Sequence, residues 1–405
     1  MNTLKNITIL LLLCCGIVLH AQEHVYPFVN YTENKLYHAT DSSITLGFYK
    51  KLDELKQGKR NRVTVMHYGG SHIQAGFWTE TLSTNFQALN NYQGGGAFAF
   101  PFKLAKTNNP PFYHTFSTAK WRRCRCVNKE LCAALGMAGI AVITNDSSGT
   151  FGITLDANDH LKNFNQMKVF HNFNPGYQFS ISPLVSSQYT QTDFPDEGYT
   201  LVQFQVPSDS VVFYFSKKDT LAKDFILYGF SLENNLPGVY FAGMGVNGAA
   251  SDSYQRCELF EKQIKSMKPD LVIFSLGVND VQSKGFNNET YVANYDTLIA
   301  MVRKSSPDCA ILFTTVSDNF VKRKTPNKRS MLAEDAIFQL MEKHKACVWD
   351  MFNVMGGYKS IAKWNKAKLA AKDKVHFNAK GYAIIGNLMF EAILKSYKAN
   401  SSNSN

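Results

Sequence analysis

Long apolar runs are scarce in this 405-residue chain. The first 22 residues hold one, Ile7–Leu19, preceded by Lys5 and followed by Ala21-Gln22 as a cleavage junction, the pattern of a secretory signal. Large leucines ahead of Cys14 make a lipoprotein reading of Cys14 or Cys15 the weaker one. No later run reaches the roughly 18 apolar residues of a membrane span. The expectation is therefore an exported protein, periplasmic or secreted, with no membrane span after signal removal.

Acid is also in short supply. Asp and Glu number 32 against 43 Lys and Arg, a formal charge of +11 that becomes +10 when Lys5 leaves with the signal. Such a protein favours anionic envelope polymers through its long-range field. No nucleic-acid-binding motif accompanies the charge, so nucleic acid is not an expected partner, and a solvated basic surface explains the excess at least as well.

Paired cysteine motifs are missing too. Six cysteines remain after the signal, and Cys124, Cys126 and Cys132 lie close together without the C-x-x-C pairs of a zinc site. One local disulfide among these three suits an oxidising compartment better than a metal. Cys257, Cys309 and Cys347 sit in apolar periodic segments and are expected in the core. No metal and no cofactor is expected.

What is present centres on Arg62–Gly76. Val63 and Val65 alternate with polar neighbours until the run breaks at Gly69-Gly70, the signature of a strand leaving a sheet through a tight turn into a helix starting near Ile73. Ser71 lies in that turn. Its hydroxyl stands at the carboxyl end of a strand, and its N–H belongs to the unsatisfied first turn of a helix, which suits a nucleophile that also donates to an oxyanion. Taken alone, an ordinary N-cap serine is the better explanation.

Three later stretches share this character. Tyr240–Gly248 ends a strand in glycines, Leu271–Asp280 is a buried strand ending in Gly277-x-Asn279-Asp280, and Asp373-Lys-Val-His376 precedes an amphipathic helix. Their order and residue types resemble the four signature blocks of the SGNH (GDSL-type) hydrolases. The resemblance implies Ser71 as nucleophile, His376 as base and Asp373 as the orienting acid. It assigns the oxyanion hole to Ser71, Gly248 and the Asn279 amide. The family usually has Asp before the serine, where this chain has Gly70. His67 and His72 are expected to be structural or to support the site from behind, and Asp280 to hold the Asn279 loop.

Between Ser71 and Gly248 lie 176 residues, far more than one crossover needs. Residues 101–236 consist of short alternating runs separated by Gly, Pro, Asn and Asp, the pattern of an all-β sandwich. The expected organisation is a signal at 1–22, a hydrolase domain in two parts at 23–100 and 237–398, the inserted sandwich at 101–236 and a disordered tail at 399–405. The hydrolase parts alternate strand and helix. An α/β fold follows, a flavodoxin-like doubly wound parallel sheet, with ligands outside the strands' carboxyl ends. Segments 23–41 are expected to be irregular, Asp41–Leu55 a helix burying Leu46, Tyr49 and Leu52, and Ser251–Met267 a helix.

The resemblance extends to Gly94–Pro101, Trp349–Gly357 and Ala370–His376, which together look like exported peptidoglycan O-acetylesterases with a carbohydrate-binding-like β module. It implies O-acetyl removal from acetylated polysaccharide, with peptidoglycan foremost. Tyr113, Trp121, Tyr177 and Tyr189 are candidate sugar-stacking residues, although each alone fits a sandwich core better. The competing readings are a non-catalytic glycan-binding protein on a degenerate scaffold, supported by Gly70, and an esterase or lipase for another acyl ester. No apolar lid segment favours the lipase. Oligomeric state is not legible.

Overall fold

The computed structural model describes residues 26–156, 161, 163–181 and 188–401. The expected signal at 1–22 lies outside them, as do residues 402–405 of the expected tail.

Six parallel strands form the central sheet. They are β2 (Arg62–Gly69), β3 (Gly94–Ala99), β14 (Gly238–Gly245), β15 (Leu271–Ser275), β16 (Ala310–Thr314) and β19 (Cys347–Trp349), in the order β19-β16-β15-β2-β14-β3. The strands are buried on both faces, so in β2 the polar Thr64 and His67 are buried along with Val63, Val65, Met66 and Tyr68. One face is covered by α1 (Ser43–Lys56), α3 (Phe77–Ala88) and α10 (Ala379–Ser401), the other by α4 (Phe260–Met267), α6 (Asn288–Ser305) and α7 (Arg329–His344). The doubly wound arrangement is present, with one antiparallel strand at each flank. Segment 23–41 supplies the first of these, β1 (Leu36–His38), paired with β19, because its carbonyls and N–H groups cap an otherwise open edge.

The other flank leads into the insert. It contains β4 (Tyr113–Ser117), β5 (Arg122–Arg125), β6 (Ile140–Thr144), β7 (Ser148–Leu155) and β8 (Phe164–His171). Next come β9 (Tyr177–Ile181), β10 (Tyr189–Phe194), β11 (Tyr199–Ser208), β12 (Ser210–Lys217) and β13 (Phe225–Asn234). β13 pairs antiparallel with β3, and β8, β11 and β10 follow, so one sheet runs from the parallel strands into the sandwich without a break. The second layer is β4-β7-β12-β9. Phe151 and Phe213 of that layer stack on Phe230 of β13, and Phe215 on Phe225. In β12, Val211, Phe213 and Phe215 point inward while Tyr214 faces solvent, the period-2 alternation of a half-buried strand. β3 is glycine-rich for a steric reason: a Cβ on Gly95 would lie 2.4 Å from the Val239 carbonyl oxygen.

Several local expectations change. Leu46 is 40% exposed, and Thr45 and Phe48 take its place on the buried face of α1. Ser251–Met267 holds only a short 3-10 turn at Tyr254–Arg256 and then α4, since Tyr254 is drawn out of helical register to reach the sheet. α10 packs through Tyr382, Ile385, Leu388, Met389, Ala392 and Ile393 as expected, and its regular structure carries on to Ser401, three residues into the expected tail. Tyr113, Trp121 and Tyr177 are buried in the sandwich; Tyr189 is exposed, as are Phe116 and Tyr214.

Candidate active site

Ser71 opens a four-residue helix, α2 (Ser71–Gln74), directly after β2. Gly76, with φ of +83°, ends that helix and re-aims the chain into α3, so the helix expected from Ile73 onward is two pieces. Gly69 has no room for a side chain, because a Cβ there would sit 2.2 Å from Ile73 Cγ1. This tight turn holds the Ser71 hydroxyl at the sheet's carboxyl edge.

His376 reaches Ser71 from the far end of the chain: Ser71 Oγ and His376 Nε2 are 2.7 Å apart. On the other side of the ring, His376 Nδ1 lies 2.7 Å from Asp373 Oδ2. The turn between them is built for this. Lys374 takes φ of +55°, which folds the chain back, and Asp373 Oδ1 accepts the N–H groups of Val375 and His376 at 2.9 and 3.0 Å. Burial alone would raise the Asp373 carboxyl; the hydrogen bonds from the His376 ring and the two N–H groups outweigh it and hold the acid below its ordinary value. The structure thus brings Ser71, His376 and Asp373 into one hydrogen-bonded line.

Asn279 belongs to α5 (Val278–Gln282), which starts at the end of β15. Its Nδ2 donates to the Ala249 carbonyl at 2.8 Å. Gly70 stands against the same amide, since a Cβ on it would lie 3.1 Å from Asn279 Nδ2 and 3.2 Å from the Ala249 oxygen. Gly248, with φ of +88°, forms the turn after β14. Among the described residues, neither the Ser71 nor the Gly248 N–H meets a protein acceptor. Asp280 accepts from the Ser251 N–H at 3.1 Å and hydroxyl at 2.6 Å, fastening the Gly248 turn to the start of α5.

His72 packs beneath the site, its ring 5.2 Å from that of His376 and its Nδ1 3.0 Å from the Tyr382 hydroxyl. Burial, and then the neighbouring His376, push His72 down to about 3, so it stays neutral and adds no charge beside His376. His67 is likewise pushed down by burial to about 3, and its Nε2 lies 2.8 Å from Ser275 Oγ.

Gln74 escaped the sequence reading. Its Oε1 accepts the Asn247 N–H at 2.7 Å, while its Nε2 donates to Thr107 Oγ1 at 3.1 Å and to the Asn108 carbonyl at 3.0 Å. It therefore couples the Ser71 helix, the Gly248 turn and the first loop of the insert. Its position three residues after the serine, on the same helix face, was the only available signal. Tyr254 was missed as well; its hydroxyl donates to the Gly69 and Met244 carbonyls at 2.9 and 2.7 Å, tying the ends of β2 and β14.

Cys124 is disulfide-bonded to Cys132, and Cys126, Cys257, Cys309 and Cys347 are free and buried. No group of three or more His, Cys, Asp or Glu among the described residues is arranged to hold a metal. No helix among them is long and apolar enough to cross a membrane.

Residues 217–384 match the GDSL-like Lipase/Acylhydrolase family. That stretch includes Gly248, Asn279, Asp373 and His376; Ser71 joins them through the fold. A solved peptidoglycan O-acetylesterase superposes with a TM-score of 0.71 at 18% identity, covering 90% of this chain and 99% of that one. An acetyl esterase structure with bound acetate is also similar, at TM-score 0.31 and 18% identity over 41% of this chain and 74% of that one. No protein of curated function matches the sequence. The chain has the SGNH hydrolase fold, and its residues 217–384 are similar to the GDSL-like acylhydrolases, a family of carboxylic-ester hydrolases.

Proposed function

We propose that the protein is an exported serine esterase that removes O-acetyl groups from a glycan, peptidoglycan before other acetylated polysaccharides, through Ser71, His376 and Asp373. The observation that carries this reading is the unbroken line Asp373–His376–Ser71, with both hydrogen bonds at 2.7 Å. In it His376 takes the serine proton as Oγ attacks the acetyl carbonyl, and returns it to the departing sugar hydroxyl. Asp373 holds the imidazole tautomer and stabilises the imidazolium. The tetrahedral oxyanion is bound by the Ser71 and Gly248 N–H groups and the Asn279 amide. Water then attacks the acetyl-enzyme with His376 again as base, releasing acetate. No step requires a metal or cofactor.

Gly70 is compatible with this chemistry. The amide of Asn279 occupies the space a side chain at position 70 would enter, and Asp280 supplies the fastening between the two oxyanion loops. The glycan substrate is carried over from the peptidoglycan O-acetylesterase of the same fold, and the Cys124–Cys132 disulfide accords with export. Phe116 and Tyr214, exposed on the outer face of the second layer beside Thr150 and Gln178, offer a platform for the polymer. The test is acetate release from O-acetylated peptidoglycan by wild type and Ser71→Ala in parallel; equal release by both would overturn the assignment.

A further inference from the structure

A short hairpin, β17 (Phe320–Val321) and β18 (Thr325–Pro326), stands beside the acid–base loop. Its stem is fixed to both halves of the site. The Phe320 N–H donates to the Lys374 carbonyl at 3.0 Å, one residue from Asp373, and the Lys374 ammonium lies 4.6 Å over the Phe320 ring. Toward the oxyanion side, Gln282 Nε2 at the end of α5 donates to Asn319 Oδ1 at 2.6 Å, and Asn327 Nδ2 donates to the Val281 carbonyl at 2.9 Å. Asn319 and Asn327 are buried, so this bracing is rigid.

The tip is unlike its stem. Lys322 and Arg323 take φ of +49° and +65°, and the Lys324 N–H closes the turn onto the Val321 carbonyl at 3.2 Å. Positive φ at both central positions belongs to type I′ turns, where Asn-Gly or Asp-Gly is favoured and long cationic side chains bear strain. The strain keeps three exposed cations in a row, Lys322, Arg323 and Lys324. Among the described residues none of them pairs with a carboxylate, nor does Lys328, Lys372 or Lys374. The surrounding sequence is one-sided. Residues 322–329 contain five cations and no acid, and residues 359–374 contain six lysines and the single acid Asp373.

We propose that this rim, with the Lys322–Lys324 turn as its finger, grips anionic groups that flank the reacting ester, so that the preferred substrate is an acetylated polymer carrying carboxylates or phosphates. The inference rests on the esterase reading and narrows its substrate class. Unpaired cations on a rigid stem attract an approaching polyanion and hold it without reorganising, while a neutral ester gains nothing from them. Remote binding of this kind positions the reacting group and is lost when the substrate is truncated.

The experiment compares wild type, a Lys322→Gln/Arg323→Gln/Lys324→Gln variant and a Lys322→Asn/Arg323→Gly variant on a neutral aryl acetate and on O-acetylated peptidoglycan. The peptidoglycan is used intact, after amidation of its carboxylates, and after removal of attached phosphate polymers. On the aryl acetate all three proteins should agree within about twofold. On intact polymer at low salt both variants should lose about tenfold in kcat/KM, and wild type should approach them as salt rises. Whichever treatment of the polymer abolishes the wild-type advantage identifies the anion. Lys322→Asn/Arg323→Gly should also melt at a higher temperature, because it relieves the turn. A merely structural hairpin would instead give unchanged polymer turnover and salt response in both variants, which would overturn the proposal. Wild type inert on both substrates would overturn the esterase reading itself.

Discussion

The catalytic strands and the sandwich strands are parts of one sheet, yet they display their polar chemistry in different places. In the six parallel strands both faces are covered by helices, so the strand faces are closed to ligands, and Ser71, Gly248 and Asn279 all stand just beyond the carboxyl ends. In the antiparallel layer β4-β7-β12-β9 one face is core and the other is wet, so Phe116, Thr150 and Tyr214 lie on a face rather than at an end. The first arrangement focuses a few groups on one atom. The second spreads many weak contacts over a surface. Chemistry should therefore fail sharply when the ends are altered, and polymer recognition gradually when the face is altered.

The largest effect tests the first half of that contrast. Ser71→Ala and His376→Ala should each lower turnover of a small acetyl ester by about 10⁴-fold or more, with circular dichroism unchanged, and the double variant should be no worse than either single one. Additive losses would mean that the two residues do not act together. Asn279→Ala should follow at about 10²–10³-fold in kcat, the usual loss for one oxyanion donor, with KM little changed.

Gln74→Leu sits where the two regions meet, since it cuts the links from α2 to the Gly248 turn and to Thr107–Asn108 of the insert. A loss of about 10–10² in kcat/KM is expected on small and polymeric esters alike, because misplacement of the serine and its oxyanion glycine affects every substrate. A loss confined to polymer would place Gln74 with the sandwich instead.

Phe116→Ala/Tyr214→Ala probes the face. Turnover of a small ester should hold, whereas polymer kcat/KM should fall several-fold, each ring contributing about 0.5–1.5 kcal/mol. Equal losses on both substrates, or none on either, would remove the platform role.

The smallest effect concerns stability. His67 and His72 are buried and pushed down to about 3, whereas an unfolded histidine titrates near 6.5. Between those values the unfolded chain binds more protons, so the stabilisation is complete above about 6.5 and is lost as pH falls toward about 3. Melting temperature should decline across that window, and His72→Gln should flatten the decline. A profile identical to that of wild type would mean that His72 is already protonated in the fold.

The sequence alone determined the parts of the site that are local. Asp373 and His376 are three residues apart, a spacing that a single turn closes, and glycines at 69, 70 and 248 mark the strand ends where backbone must bend or approach closely. Alternation revealed β9, β11 and β12, because a half-buried strand writes its burial into every second residue. β3, β1 and the Lys322–Arg323 turn left no such trace. A glycine run has no side-chain period, a three-residue edge strand is too short for one, and two basic residues do not announce a left-handed turn. What only the tertiary structure decided was who meets whom. Ser71 finds His376 across 305 residues, Gln74 finds Asn247 across 173, and the insert joins the catalytic sheet through β13. The physical reason is that hydrogen bonds between distant segments are set by strand order, which no local pattern encodes.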